Sequence, residues 1–143
     1  SDINSLLANS PAKDEGSNFY NLGKQYNIDP IIALAFFNEE SNFGTNSAWA
    51  AKGSNNMGDI KYTSSCFANI NDYCGYKTWK DGIEAWYKLI SGSVYIGAGL
   101  NTVEDVTQKY APSSDGNNPA QYAKDVKNFV LQHRNIGATG FSN

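Results

Sequence analysis

Apolar side chains occupy every side of one segment of the chain, whereas elsewhere they recur at intervals of three and four. The uniformly apolar segment is "PIIALAFFNEES", which begins at Pro30 directly after Asp29. This pair is a typical helix start, because an Asp side chain accepts from free backbone N–H groups and Pro needs no N–H at the first position. A helix that is apolar all round is normally buried, so the pattern predicts a central helix that Gly44 ends.

Four other segments have the apolar period of helices that cover a core. In one, Thr102 stands three residues before Asp105 and approximates a capping box. In another, Asn118 and Pro119 repeat the cap-and-proline start. The predicted helices cover residues 17–26 and 82–91, a segment that begins at residue 102 and a segment that begins at residue 118.

Short apolar alternation, with glycines and asparagines, marks two segments in the middle of the chain, "GSNNMGDIKYTSS" and "YCGYKTWKDG". They predict two strands, with a turn at Asp81 and Gly82, and hence a small β-hairpin lobe beside the cysteine loop. Residues 1–16 are polar and poorly periodic, which predicts an N-terminal arm or linker. Since 143 residues fit one domain, we expect residues 17–143 to form a single, mostly α domain of the α+β class.

Charge and composition exclude several classes of partner. A net charge of −3 and a pI near 5.0 argue against nucleic-acid binding and give no attraction to an anionic membrane. No apolar run is long enough to span a bilayer. Aromatic residues make up 13% of the chain, which suits a cleft that stacks on sugar rings but suits an ordinary core better.

The two cysteines, Cys66 and Cys74, enclose "FANINDY", in which Asn and Asp favour turns. A disulfide between them is the favoured interpretation, and two free buried thiols are the alternative. The sequence has no CxxC motif and its single histidine, His133, is distant from the cysteines, so we expect no zinc site. A disulfide would place the chain outside the cytoplasm.

Two adjacent acids, Glu39 and Glu40, end the apolar helix. Successive residues point about 100° apart round a helix axis, so the two carboxyls diverge and do not form a pair. One is expected to face solvent. The other, among Phe36, Phe37 and Phe43, would have a raised pKa and suit a general acid. The alternative is that both are surface residues, although acids at a helix C-terminus oppose its dipole.

Other chemistries lack their residues. His133 has no triad partners, no cysteine has a histidine beside it and no phosphate-binding glycine loop occurs. The remaining possibility is acid catalysis by carboxyl side chains of the protein.

Four stretches in order then carry a family resemblance: "LAFFNEESNFGT", "NNMGDIKY", "YKTWKDGIEAWYKLI" and "LNTVEDVTQKYAPSSDGNNPAQYAKDV". Together they resemble the lysozyme-like superfamily, in particular the glucosaminidase-type peptidoglycan hydrolases, which are related to lytic transglycosylases. The resemblance covers roughly residues 23–129. It implies a lysozyme-like helical domain with a small β-hairpin lobe and a cleft between them.

The resemblance also implies roles for individual residues. The acid before Ser41 is the family's catalytic one, which is Glu40 here, and Glu39 is its solvent-facing neighbour. Tyr110 is similar to a family tyrosine close to the scissile bond, where it would help to position or stabilise the reacting sugar. Further candidates for substrate contact by resemblance are Ser41, Asn55, Asn56, Asp115, Asn117, Asn118 and Tyr122, with a structural role an equal alternative for the last four.

One departure from the family pattern is Asp59, where many relatives have Asn or Phe. Asp59 is either a surface acid or a second carboxylate near Glu40, and Asp72 in the cysteine loop is another candidate. A separation of about 5–5.5 Å between the two carboxyls would suit a retaining nucleophile, and about 6.5–9.5 Å an inverting base. With no second acid, the N-acetyl group of the substrate would assist or an anhydro sugar would form.

We therefore expect an enzyme that cleaves β-1,4 bonds of peptidoglycan glycan strands, specifically an endo-β-N-acetylglucosaminidase. The alternatives are a lytic transglycosylase or muramidase, and a non-catalytic lysozyme-like module that binds glycan without cutting it or has a structural role. We expect a monomer that is secreted or attached to the cell wall, from a bacterium or a phage, with no cofactor, metal, nucleic acid or membrane insertion. Possible sugar platforms, each of them a possible core residue instead, are Trp49, Tyr62 and Trp79.

Overall fold

The structure, a computed structural model, describes residues 2–46, 53–134 and 141. Within these ranges six α-helices surround a core, and a two-stranded antiparallel sheet forms a small lobe, which confirms the expected mostly α fold with a hairpin. None of the described helices is long and apolar enough to cross a membrane. The elements are α1 Asp2–Leu6, α2 Gly16–Tyr26, α3 Pro30–Ser41, β1 Ala68–Ile70, β2 Tyr73–Gly75, α4 Trp79–Ser91, α5 Val103–Tyr110 and α6 Pro119–Arg134.

Helix α3 is the buried centre that its apolar sequence predicts. The Asp29 carboxylate accepts a hydrogen bond of 2.9 Å from the Ile31 backbone N–H, and the side chains from Pro30 to Phe37 are all buried. The helix ends at Ser41 rather than at Gly44, because Asn42 adopts the left-handed conformation that closes a helix.

The other helices pack around α3 through aromatic and aliphatic side chains. Helix α6 packs against both α3 and α5, while α2 packs against α3 and α4. The predicted caps are confirmed: Thr102 accepts from the Asp105 N–H at 3.0 Å, and Asn118 accepts from the Gln121 N–H at 3.1 Å. At the centre, the Phe36 ring contacts the rings of Trp86, Tyr110, Tyr122 and Phe141.

The hairpin is present, and β2 lies at the start of the predicted second strand segment, but the first strand is not the predicted one. Strand β1 lies inside the cysteine loop, and of the segment 53–65 only Lys61 makes a single bridge, to Tyr73 of β2. The expected turn at Asp81 and Gly82 is wrong, because both residues lie in the first turn of α4, which Thr78 caps. The predicted first strand does not form. Its segment has a short alternation of apolar residues, but no partner strand among the described residues pairs with it along its length.

The segment before α2, predicted as an arm or linker, contributes to the core. It contains α1, and the side chains of Leu7 and Ala12 are fully buried. Ser10 is also buried, and its hydroxyl donates to the Phe43 carbonyl at 2.7 Å. These few apolar residues have no regular spacing, so the sequence alone gave no sign of their burial.

The expected disulfide joins Cys66 to Cys74, with 5.4 Å between their Cα atoms. It brackets β1 and the first part of β2, so it closes the hairpin covalently. This crosslink reduces the freedom of the unfolded loop and fixes a lobe whose strands have only three residues each.

Candidate active site

Glu40 lies in the last turn of α3 and is partly buried. Burial, and then the nearby charge of Asp59, raise the pKa of Glu40 to about 8. The Tyr122 hydroxyl donates a hydrogen bond of 3.2 Å to Oε2 of Glu40, which opposes this shift because it stabilises the ionised carboxylate. The Glu40 carboxyl therefore stays largely protonated near neutral pH, as a general acid requires.

Glu39 is exposed and points away from Glu40, as helical geometry predicts. It lies beside Asp125 of α6, and desolvation, together with the charge of Asp125 and a hydrogen bond between the two carboxyls, raises the pKa of Glu39 to about 7. Glu39 is absent from the cleft described below. The two adjacent glutamates thus lie in different surroundings, and of the two only Glu40 lines this cleft.

Asp59 approaches Glu40 from the loop that precedes the hairpin. Its backbone φ is 53°, in the left-handed region that costs energy for a residue with a side chain. Its Oδ1 atom is buried and has no hydrogen-bond partner among the described residues. Burial raises the pKa of Asp59 to about 7, and the nearby Lys61 ammonium works in the opposite direction. An unusual backbone and an unsatisfied oxygen are typical of functional positions.

Asn56 holds this loop in place. Its side-chain amide donates to the carbonyls of Ile60 and Cys74, both at 2.9 Å, and its oxygen accepts from the N–H groups of Gly58 and Ile60. The side chain is fully buried. The structure therefore gives the Asn56 amide a positioning function for the backbone around Asp59, and its expected contact with substrate stays a prediction.

Tyr110, at the end of α5, is bound to the same loop. Its hydroxyl donates a hydrogen bond to the Gly58 carbonyl. A Cβ atom on Gly58 would lie 2.5 Å from the Tyr110 oxygen and closer still to the Trp86 ring, so only glycine fits between them. Burial raises the pKa of Tyr110 well above its usual value, so the phenol stays neutral and keeps this bond.

The three residues that the sequence assigned to catalysis line one cleft of about 740 Å³, a volume typical of a ligand site. A second cavity, of about 790 Å³, lies between α1, α2 and the end of α6, and no acidic residue is among those that line it in the described ranges. The residues around the cleft are Glu40, Gly58, Asp59, Ile60, Lys61, Tyr73, Leu89, Tyr95, Tyr110, Ala111, Asp115 and Asn117.

Several expected contacts lie elsewhere. Ser41 is buried, and its hydroxyl accepts the Gly44 N–H at 2.8 Å, so it shapes the end of α3. Asn55 donates to the Tyr76 carbonyl at 3.0 Å, and Trp79 packs against the Phe37 ring at 5.6 Å. None of these three is among the residues that line the cleft.

Four other candidates have different outcomes. Tyr62 is 42% exposed but is not part of the cleft wall, and Asp72 is exposed in the hairpin turn. Asn118 caps α6, which is the structural alternative of its two expected roles. Trp49 lies outside the described residues.

The sequence did not assign a function to Lys61, Tyr73, Leu89 or Tyr95, all of which line the cleft. They come from the hairpin lobe, α4 and the turn after α4, so no local spacing connects them. The only available signal was Lys61, which stands inside the quoted "GDIKY" stretch.

One comparison with known proteins bears on this site. The family model Glucosaminidase, described as mannosyl-glycoprotein endo-beta-N-acetylglucosaminidase, matches residues 16–134. The match runs from the start of α2 to the end of α6 and includes every residue of the cleft wall. No curated protein matches the chain.

Proposed function

Because the chain belongs to the glucosaminidase family of glycan-cleaving hydrolases, we propose that it hydrolyses β-1,4 bonds in peptidoglycan glycan strands as an endo-β-N-acetylglucosaminidase. The observation that carries the proposal is Glu40, a partly buried carboxyl with a raised pKa on the wall of a cleft. The family membership confirms the resemblance noted in the sequence.

Glu40 acts as the general acid and protonates the oxygen of the leaving sugar. Such a proton donor must keep its proton until the bond breaks, and a pKa of about 8 meets this requirement at neutral pH. The carboxyl lies at the end of the buried helix α3, so its backbone is held by the packed core.

Asp59 is the second carboxylate. Burial raises the pKa of Asp59, and the Lys61 ammonium counters this by favouring the ionised form. A charge on Asp59 in turn raises the pKa of Glu40 and so favours the proton there. One ionised and one protonated carboxyl is the arrangement that both the retaining and the inverting mechanisms require. Asp115 also lines the cleft, but it is exposed.

Two tyrosines position the two acids. Tyr122 donates to Oε2 of Glu40 and so favours one orientation of the carboxyl. Tyr110 holds the Gly58 carbonyl and thereby the loop that presents Asp59. Tyr110 also lines the cleft, so the expected contact with the reacting sugar remains part of the proposal.

The proposal is tested by the products that the enzyme releases from purified cell-wall sacculi. The wild type should release fragments with new reducing N-acetylglucosamine ends, and Glu40→Gln should release almost none. New reducing N-acetylmuramic acid ends would indicate a muramidase, and anhydro ends, which lack one water, a lytic transglycosylase. Binding without any product would identify a glycan-binding module and contradict the proposal.

The location of the chain follows from the same proposal. A substrate in the cell wall and an internal disulfide fit a protein that works outside the cytoplasm, as a secreted or wall-associated hydrolase.

A further inference from the structure

Lys61 is the one cation among the described residues that line the cleft, where the titratable side chains are otherwise acids and tyrosines. The acids are Glu40, Asp59 and Asp115. Besides favouring the ionised form of Asp59, an ammonium group on the wall of the cleft can bind an anion. Hydroxyl and N-acetyl groups need no charged partner, because neutral donors and acceptors bind them well. A carboxylate forms a stronger hydrogen bond with an ammonium group, so the Lys61 charge suggests an anionic group on the ligand.

The position of the Lys61 ammonium is set by the hairpin lobe. Its backbone forms a bridge with Tyr73 of β2, and Nζ lies 4.3 Å from the centroid of the Tyr73 ring. This cation–π contact favours one orientation of an otherwise flexible side chain. Tyr73 lines the cleft as well, so the ammonium and the ring form one wall of it.

No carboxylate of the described residues is within ion-pair distance of Lys61. The ion pairs in this part of the chain join Lys127 to Glu104 and Arg134 to Asp29, both away from the cleft. Lys61 acts on Asp59 through space and lowers its pKa, but the two side chains make no direct pair. Its N–H donors are therefore open to a ligand on the cleft side.

We propose that Lys61 binds a carboxylate on the glycan strand and makes the cleft selective for peptidoglycan over neutral chitin. The inference rests on the proposed function. Peptidoglycan strands carry carboxylates either on the lactyl ether of muramic acid, where no peptide is attached, or on the attached peptide. Chitin has the same β-1,4-linked backbone and N-acetyl groups but no carboxylate, so it isolates the charge as the variable.

The test measures binding rather than turnover, so it does not depend on catalysis. Glu40→Gln protein, with and without Lys61→Gln, is titrated by calorimetry with four oligosaccharides of equal length. These are a chitin tetramer, a peptide-free muramic acid tetramer, the same compound with its lactyl carboxyls methyl-esterified, and a peptide-bearing tetramer. Lys61→Gln should weaken binding of the lactyl or the peptide-bearing compound roughly three- to fivefold, as expected for one exposed ion pair.

Two controls separate charge recognition from other effects. Lys61→Arg should retain the preference for the anionic compounds, and Lys80→Gln, an exposed lysine on α4 outside the cleft, should change none of the affinities. Higher salt should reduce the difference between wild-type Lys61 and Lys61→Gln. If Lys61→Gln weakens binding of the peptide-free compound as much as esterification of its carboxyls does, the bound group is the lactyl carboxylate. If Lys61→Gln weakens binding of the peptide-bearing compound alone, the bound group is a carboxylate of the peptide.

Equal changes for chitin and for the anionic compounds, or no change at all, would overturn the proposal. This failure is distinct from failure of the proposed function. A wild type that releases no fragments from sacculi refutes the hydrolase assignment, whereas the calorimetric comparison concerns Lys61 alone.

Discussion

Removal of the Tyr122 hydroxyl is the sharpest perturbation of the acid. In Tyr122→Phe the ring remains, and its contacts with Phe36 at 5.2 Å and Tyr110 at 6.3 Å are kept. Only the hydrogen bond of 3.2 Å to Oε2 of Glu40 is lost. Since that bond lowers the pKa of Glu40, its removal raises the pKa further above the value of about 8.

The magnitude follows from the bond itself. A hydrogen bond to a charged group contributes about 1.5–3 kcal/mol at good geometry, and a 3.2 Å bond is at the long end, so about 1 kcal/mol is expected here. One pKa unit corresponds to about 1.4 kcal/mol, so the pKa of Glu40 should rise by about 0.7 units. The general acid works while protonated, so activity falls as pH rises through this pKa. The alkaline limb of kcat/KM should therefore move to higher pH by the same amount.

The assay is the initial rate of sacculus solubilisation between pH 5 and 10 for the wild type, Tyr122→Phe and Tyr20→Phe. Tyr20 is exposed on α2 and lies outside the cleft, so its variant should reproduce the wild-type profile. The maximal rate of Tyr122→Phe should fall less than tenfold, because the acid itself remains. An alkaline limb that stays in place or moves to lower pH would refute the role assigned to Tyr122.

Three further predictions concern stability. Glu40→Gln should stabilise the fold by up to about 3 kcal/mol at pH 7, measured as a rise in Tm, because Glu40 has a pKa of about 8 when folded and near 4.5 when unfolded. The folded state binds more protons between these values, so wild-type stability falls as pH rises through this window; a gain in Tm equally large at pH 4 would contradict the pKa. Replacement of Cys66 and Cys74 by Ser should cost about 2–3 kcal/mol in denaturant unfolding for so short a loop, and an unchanged midpoint would show that the crosslink is dispensable. Gly82→Ala should cost about 1–3 kcal/mol or more, because the new Cβ would lie 1.7 Å from the Asn55 carbonyl oxygen; Lys80→Ala on the same helix is the control, and equal midpoints would refute the contact.

Much of the helical frame was predictable because its signals are local. The Asp-Pro start of α3, the Thr102 cap and the Asn118 cap each depend on residues within three positions of one another. The first strand of the hairpin was placed wrongly because both strands have only three residues and depend on the disulfide and on pairing across the loop. Stabilisation by contacts across a loop produces no regular spacing of apolar residues in the sequence.

The candidate site was predictable in part for the same reason. Glu40 ends a helix whose burial is evident from its sequence, and Asp59 was noticed as a departure from the family pattern. The function of Asn56 was missed, because only the folded loop shows that its amide bonds to four backbone groups. Lys61 was overlooked because its candidate function in ligand binding depends on a cleft, and segments far apart in the chain form that cleft.

The central claim is that Glu40, and not its neighbour, is the general acid. The most direct measurement is kcat/KM on purified sacculi for the wild type, Glu40→Gln and Glu39→Gln, with circular dichroism to show that all three are folded. Glu40→Gln should lose about 10²- to 10⁴-fold, the contribution typical of general acid catalysis, and Glu39→Gln should stay within a few-fold of the wild type. Undiminished turnover by Glu40→Gln, or a comparable loss in Glu39→Gln, would contradict the account.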